Sequence, residues 1–212
     1  MSNMNHIAVI GLTGQSGAGK TTVCKVFEES GFAIINADKI ARQIMEKNSP
    51  CLKETAECFG SEIINEDGTL NRQKLADIVF TDEEKLKQLN AISYPYITFE
   101  ILQKIKYYAA SGEKYVLLDA PTLFESRADD FCDLIISVTA TERIRSMRIA
   151  ERDGLTPEQI KERFSSQHTE IFFINHSDFI IKNNKSVENL IEKAREVAQK
   201  VKEYCDNAEE AI

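Results

Sequence analysis

The chain has 212 residues, 42% hydrophobic and 28% charged, with a formal net charge of −8. That length buries one sizeable core with room for a smaller lobe, and the acidic balance disfavours a general nucleic-acid binder, which would usually be basic. The longest apolar runs are far too short to span a bilayer. The N-terminal MSNMNHIAVIG lacks the basic and apolar regions of a signal peptide. Five scattered cysteines without a C-x-x-C pair, and three histidines without ligand spacing, predict a cytoplasmic protein with reduced thiols and no zinc site.

In chain order, the first apolar run, residues 6–12, predicts a buried strand. It leads into GQSGAGKT, residues 14–21, which fits G-x-x-x-x-G-K-[ST] in the required strand–loop–helix context. Glycines there let backbone N–H groups curl around phosphate oxygens, and the next helix N-terminus adds positive dipole. The ATP-binding candidates are Gly14, Gly17, Ala18, Gly19, Lys20, Thr21 and Thr22. Lys20 would contact the β- and γ-phosphates, and the Thr21 hydroxyl would ligate Mg²⁺. The helix over 21–30 carries Val23, Val26 and Phe27 on one side and stops at Gly31.

A second strand over 33–36 ends at Asn36-Ala37-Asp38. Both Asn and Asp cap helices well, so Asp38 reads either as a cap or as a catalytic base. Helices are then expected over 38–46, 50–58 and 72–80, with a turn at Asn65–Gly68. A Thr81-capped helix would run to Tyr94-Pro95, and another would follow to about Ala110. This stretch is too long for one crossover helix and reads as a helical lobe inserted into an α/β core.

A third strand, 115–119, ends in Asp119, which in a phosphate-loop protein assists the metal; a cap or loop role is the alternative. A fourth strand covers 134–138. Arg145, Arg148 and Arg152 follow at i, i+3 and i+7, one stripe on a helix. Guanidinium forks in so acidic a chain point to a phosphate-screening lid, against the alternative of a solvated charged face. Thr156-Pro157-Glu158-Gln159 is a helix start. A fifth strand over 179–181 precedes a final helix from Ser186, whose apolar face runs through Val187, Leu190, Ile191, Ala194, Val197, Ala198 and Val201. The acidic tail after Tyr204 is expected to fray.

The fold class is therefore α/β: a five-stranded parallel sheet flanked by helices, of the P-loop nucleotide-kinase kind. A GTPase would need N-K-x-D after a late strand, and Lys182-Asn183-Asn184-Lys185 does not match. A kinase is favoured. A kinase for nucleosides or nucleotides, or a nucleotide-dependent switch without transfer activity, would share the loop.

The segments together resemble the dephospho-coenzyme A kinase family. The likeness lies in GLTGQSGAGKTTVCKVF (11–27), NADKIAR (36–42), FGSEIINEDGTLNRQKL (59–75) and LDAPTLFE (118–125). It continues through 148–167 and SDFIIKNNKS (177–186), so it spans nearly the whole chain. The resemblance implies transfer of the ATP γ-phosphoryl group to the ribose 3′-hydroxyl of dephospho-CoA. It also implies a single kinase domain with its core in 1–38 and 112–212, an acceptor lobe over about 39–111 and a lid over about 143–170. By motif, Asp38 takes the place of the catalytic base and Lys20 that of the phosphate-binding lysine. Arg148 and Arg152 fall in the lid, and Asn183 near the adenine-side loop. Arg42 and Arg72 are candidates for acceptor phosphate contacts. Expected partners are ATP, Mg²⁺ and dephospho-CoA, with no nucleic acid and no membrane, in a monomer or weak homo-oligomer. The chain departs from the family pattern at Asn36 (usually Asp), Tyr94 (a common His) and Lys185 (usually Gly).

Overall fold

The computed structural model describes residues 7–210. Five strands run in the order β1 (Ala8–Gly14), β2 (Ala33–Asn36), β3 (Tyr115–Asp119), β4 (Leu134–Thr139) and β5 (Phe179–Lys182). Among the described residues the helices are α1 (Lys20–Glu29), α2 (Ala37–Gln43), α3 (Pro50–Phe59), α4 (Arg72–Val79), α5 (Glu83–Ala110), α6 (Glu142–Asp153), α7 (Pro157–Ser165), α8 (Glu170–Asn175) and α9 (Val187–Glu210). The chain divides into two compact units. One contains the sheet residues through Ile35 and everything from Ile105 on; the other is Asn36–Lys104.

The sheet order is β2-β3-β1-β4-β5, and β1 pairs in parallel with both β3 and β4. The chain thus leaves β1 toward one side of the sheet and later returns on its other side. This topological switch opens a crevice at the C-terminal end of β1, where such sheets bind ligands. Ile10, Leu12, Leu117, Ile136 and Val138 are fully buried, which is why these strands read as continuous apolar runs. Val23 and Phe27 of α1 and Leu190, Ala194, Ala198 and Val201 of α9 close the same core. Gly31 ends α1 at φ 86°. Its N–H donates to Glu28 O at 2.9 Å and the Phe32 N–H to Phe27 O at 3.1 Å, a Schellman ending.

Some expectations change in this unit. His6 lies outside the described residues, and β1 continues two residues beyond Leu12 to Gly14. Within the long apolar face of α9, Val187 stands 56% exposed. The acidic C-terminal segment remains helical to Glu210, because Cys205 is buried and the Tyr115 hydroxyl donates to the Asp206 carboxylate.

The second unit is helical, with Ile63, Leu75 and Val79 at its centre. Its helix starts are capped by side chains. Ser49 accepts from Leu52 N, Asn71 from Lys74 N, and Asn36 from Lys39 N at 2.7 Å. Asn65–Gly68 forms the expected turn, with the Gly68 N–H donating to Asn65 O at 2.9 Å. The two helices expected around Tyr94-Pro95 are one, α5, with Pro95 inside it. Proline removes one N–H and crowds the preceding turn, a local cost set against the burial of Ile101 on the same helix. Thr81 does not cap it. Its hydroxyl donates to Asp77 O and Ile78 O, whereas the Asp82 carboxylate accepts from Glu84 N at 3.0 Å and Lys85 N at 3.3 Å.

Asn36→Ala removes a cap of ordinary worth, so the chain should lose about 1 kcal/mol in urea denaturation, while Asn36→Asp keeps the acceptor and most of the stability. Equal losses in both variants would show that the cap hydrogen bond is not what matters.

Candidate active site

Gly14 leaves β1 at φ 146°, and a Cβ there would sit 2.3 Å from Val138 O of the neighbouring strand. Gly19 precedes α1 at φ 102°, and a Cβ there would sit 2.5 Å from Asn183 Nδ2. Both positions demand glycine for backbone angle and for space. Gly19 supplies no side-chain cap, and the first turn of α1 carries no acidic residue. The start of this ten-residue helix therefore keeps its positive end for an anion.

The loop is held from outside. Asn183, 4% exposed, is fixed by its own N–H to Thr139 O at 2.8 Å. Its Nδ2 donates to Ala18 O at 2.7 Å, and its Oδ1 accepts from Arg148 Nη2 at 3.2 Å. Arg148 Nη1 also approaches Gly17 O at 3.4 Å. In a trans peptide the carbonyl and the next N–H point in opposite directions. Drawing the carbonyl of Ala18 outward therefore turns the N–H of Gly19 the other way, where a phosphate oxygen can accept it, while the Ala18 N–H closes a turn by donating to Gln15 O at 3.0 Å.

Lys20 Nζ forms an ion pair with the Asp119 carboxylate, and Asp119 is 6% exposed. The register places Asp119 beside Leu12 across adjacent strands. Thr21 is solvent-exposed at the first turn of α1. Thr21 Oγ1 and the Asp119 carboxylate are hard oxygen donors.

The three arginines of α6 part company. Arg148 joins the loop, and Arg145 is buried. Arg152 turns to Asp153, whose carboxylate accepts from Arg152 at 2.7 and 2.8 Å and from Arg163 at 2.6 Å. These two guanidinium groups hold the Asp153 carboxyl well below its usual range. A depressed carboxyl stabilises the fold above its ordinary range, and that contribution is lost as pH falls from there through the depressed value. Thr156 and Gln159 complete a capping box at the start of α7.

In the helical unit, Asp38 is exposed in the first turn of α2, where the dipole favours a carboxylate. Arg42 lies one turn on and Arg72 begins α4; Arg72 Nη2 reaches Arg42 O at 3.5 Å. The fold thus brings together the phosphate loop, Lys20, Asp119, Arg148 and Asn183 in one unit, and Asp38, Arg42 and Arg72 in the other. Sequence reasoning missed Gln167, whose Oε1 accepts from the Ser16 N–H of the loop at 3.2 Å. Those residues are 151 positions apart, and no local pattern links them.

A phosphate loop on the first strand of a five-stranded parallel sheet, with a lysine folded onto an acid at the end of β3, defines a P-loop kinase fold. A family model described as dephospho-CoA kinase matches residues 8–189. A dephospho-CoA kinase from Listeria innocua is 40% identical over 179 residues, covering 84% of this chain and 90% of the relative. TT1252 from Thermus thermophilus superposes with a TM-score of 0.78 at 27% identity, covering 92% of this chain and 98% of that one. A dephospho-CoA kinase from Campylobacter jejuni gives 0.62 at 26% identity, covering 91% and 96%. The chain belongs to the dephospho-CoA kinase family.

Proposed function

We propose that this chain transfers the γ-phosphoryl group of ATP to the ribose 3′-hydroxyl of dephospho-CoA, releasing ADP and CoA. The observation that carries this reading is the clamped phosphate loop with Lys20 and Asp119, in a chain whose family match extends over residues 8–189. Phosphoryl transfer asks the protein mainly for positioning and charge screening. Lys20 and the loop and helix start over Gly14–Thr22 hold the donor phosphates, with Asn183 on the adenine side. Asp38 takes the proton of the attacking hydroxyl as its oxygen bonds to the γ-phosphorus and the bridging oxygen leaves with ADP. Arg148 and Arg152 screen the transferring group, and Arg42 and Arg72 meet the acceptor's own phosphates.

Thr21 and Asp119 fit Mg²⁺, which takes few protein oxygens and completes its shell with phosphates and water. Among the described residues no group of three or more His, Cys, Asp or Glu could hold a metal unaided. That donor set suits a cation delivered with the nucleotide, where it neutralises developing charge on the phosphates. In this reading the protein works in the cytoplasm as a monomer or weak homo-oligomer.

ADP release from ATP and Mg²⁺ tests the proposal. Dephospho-CoA should accelerate it by at least about 100-fold over the acceptor-free rate, a conservative floor, since about 100-fold is what a misplacement of about 1 Å alone can cost. Acceleration by nucleosides or nucleoside monophosphates instead would reassign the acceptor, and binding of nucleotide with no transfer to any hydroxyl would end the kinase reading.

A further inference from the structure

A cavity of about 290 Å³ lies within the sheet-bearing unit, lined by Gln15, Glu142, Arg145, Phe164, Gln167 and Glu170 among others. It abuts the first half of the phosphate loop. The side chain of Gln15 lines it, and Gln167, another lining residue, accepts from Ser16 N–H. Gly17 packs so closely on α6 that a Cβ would lie 2.9 Å from Arg145 O.

Arg145 is 7% exposed, and its guanidinium lies over the Phe164 ring at 4.0 Å from the centroid. Its Nε and Nη1 are buried with no hydrogen-bond partner among the described residues, and so is Gln15 Oε1. A guanidinium stays charged even when desolvated, and leaving its N–H groups unbonded in a buried site is costly. Two carboxylates approach without bonding it. Glu142 is exposed in the first turn of α6. Glu170 is directed elsewhere, accepting from Thr139 Oγ1 at 3.3 Å and lying 3.6 Å from Lys182 Nζ.

We propose that this cavity is an oxyanion subsite anchored by Arg145, taking a phosphoryl-type anion against the outer flank of the phosphate loop. The planar N–H donors match phosphoryl oxygens in a way that an ammonium would not. Phe164 supplies the floor that keeps the guanidinium flat, and Gln15 and Gln167 tie occupancy to the conformation of loop residues 15–17. The anion has two possible sources, the terminal phosphoryl group of the bound nucleotide or free inorganic phosphate. The nucleotide arm of the test rests on the kinase reading above; the phosphate arm does not.

The test compares wild type, Arg145→Gln and Arg145→Lys as full chains. ATP and ADP, each with Mg²⁺, are titrated calorimetrically, and melting is followed with inorganic phosphate, both with and without saturating ADP. If the nucleotide fills the subsite, Arg145→Gln weakens ATP by about 10-fold or more, the scale of one charge-assisted contact, while ADP changes by less than about twofold. If free phosphate fills it, nucleotide affinities hold and the phosphate-dependent rise in Tm of the ADP-saturated protein disappears. In either case Arg145→Lys recovers only part of the effect, since a point charge replaces the fork. An unchanged ATP-to-ADP ratio together with an unchanged or absent phosphate response overturns the proposal. So does a lowered Tm of Arg145→Gln without any change in ligand response, which would make Arg145 a packing residue on Phe164. Should Arg145→Gln not fold, the lysine variant carries the same comparison. Wild type that binds no nucleotide would sink the kinase reading, and the phosphate response of the ADP-free chain would then decide the subsite alone.

Discussion

Asp38→Asn lowers ADP formation in the presence of dephospho-CoA by roughly 1,000-fold, the middle of the range that a positioned proton acceptor contributes. The substitution keeps shape and removes basicity. ATP affinity, measured by calorimetry, changes by less than about twofold, because in the proposed mechanism the carboxylate acts on the hydroxyl and not on the nucleotide. The structure makes this variant interpretable. The cap of α2 belongs to Asn36, which accepts from Lys39 N at 2.7 Å, so losing the Asp38 carboxylate does not uncap the helix. Turnover within a few-fold of wild type would remove Asp38 from the chemistry and leave it a surface residue of the first turn.

Lys20→Met should be as severe for a different reason. The ammonium is paired with Asp119 in the fold, and in the proposed reaction it would turn to the donor phosphates. Its loss should cost roughly 1,000-fold in kcat/KM, the upper end of what one preorganised charged donor supplies. Unlike Asp38→Asn, this variant should also weaken ATP binding, since donor contacts form in the ground state as well. Lys20→Arg tests geometry: a longer planar head beside a nearly buried Asp119 should recover little activity. Full activity in Lys20→Met would show that the loop amides alone carry the phosphate.

Much of the sheet was legible because its central strands β1, β3 and β4 are buried along nearly their whole length and its edge strands are short apolar runs. The second and third strands coincide with residues 33–36 and 115–119 as the apolar runs suggested. The loop was legible because its spacing is dictated by backbone sterics at Gly14 and Gly19. Where competing local signals met, reading failed. Pro95 looked like a helix boundary, yet the surrounding helix tolerates it, and Thr81 looked like a cap until Asp82, the next residue, took that role. The arginine stripe on α6 was visible as spacing. Its division among the loop, the Phe164-lined cavity and Asp153 depends on side-chain partners that periodicity cannot report. Gln167 was invisible for the same reason.

The grip of Asn183 on Ala18 O joins residues 165 positions apart. A chain still emerging from the ribosome has its entire glycine motif early, but the side chain that shapes that motif arrives only after β5. Until then the loop is a sequence without a cradle, and contacts so distant in the chain form late. Competence to hold nucleotide is thereby deferred until β5 and Asn183 have been made, so chains released before that point would neither capture ATP nor be stabilised by it.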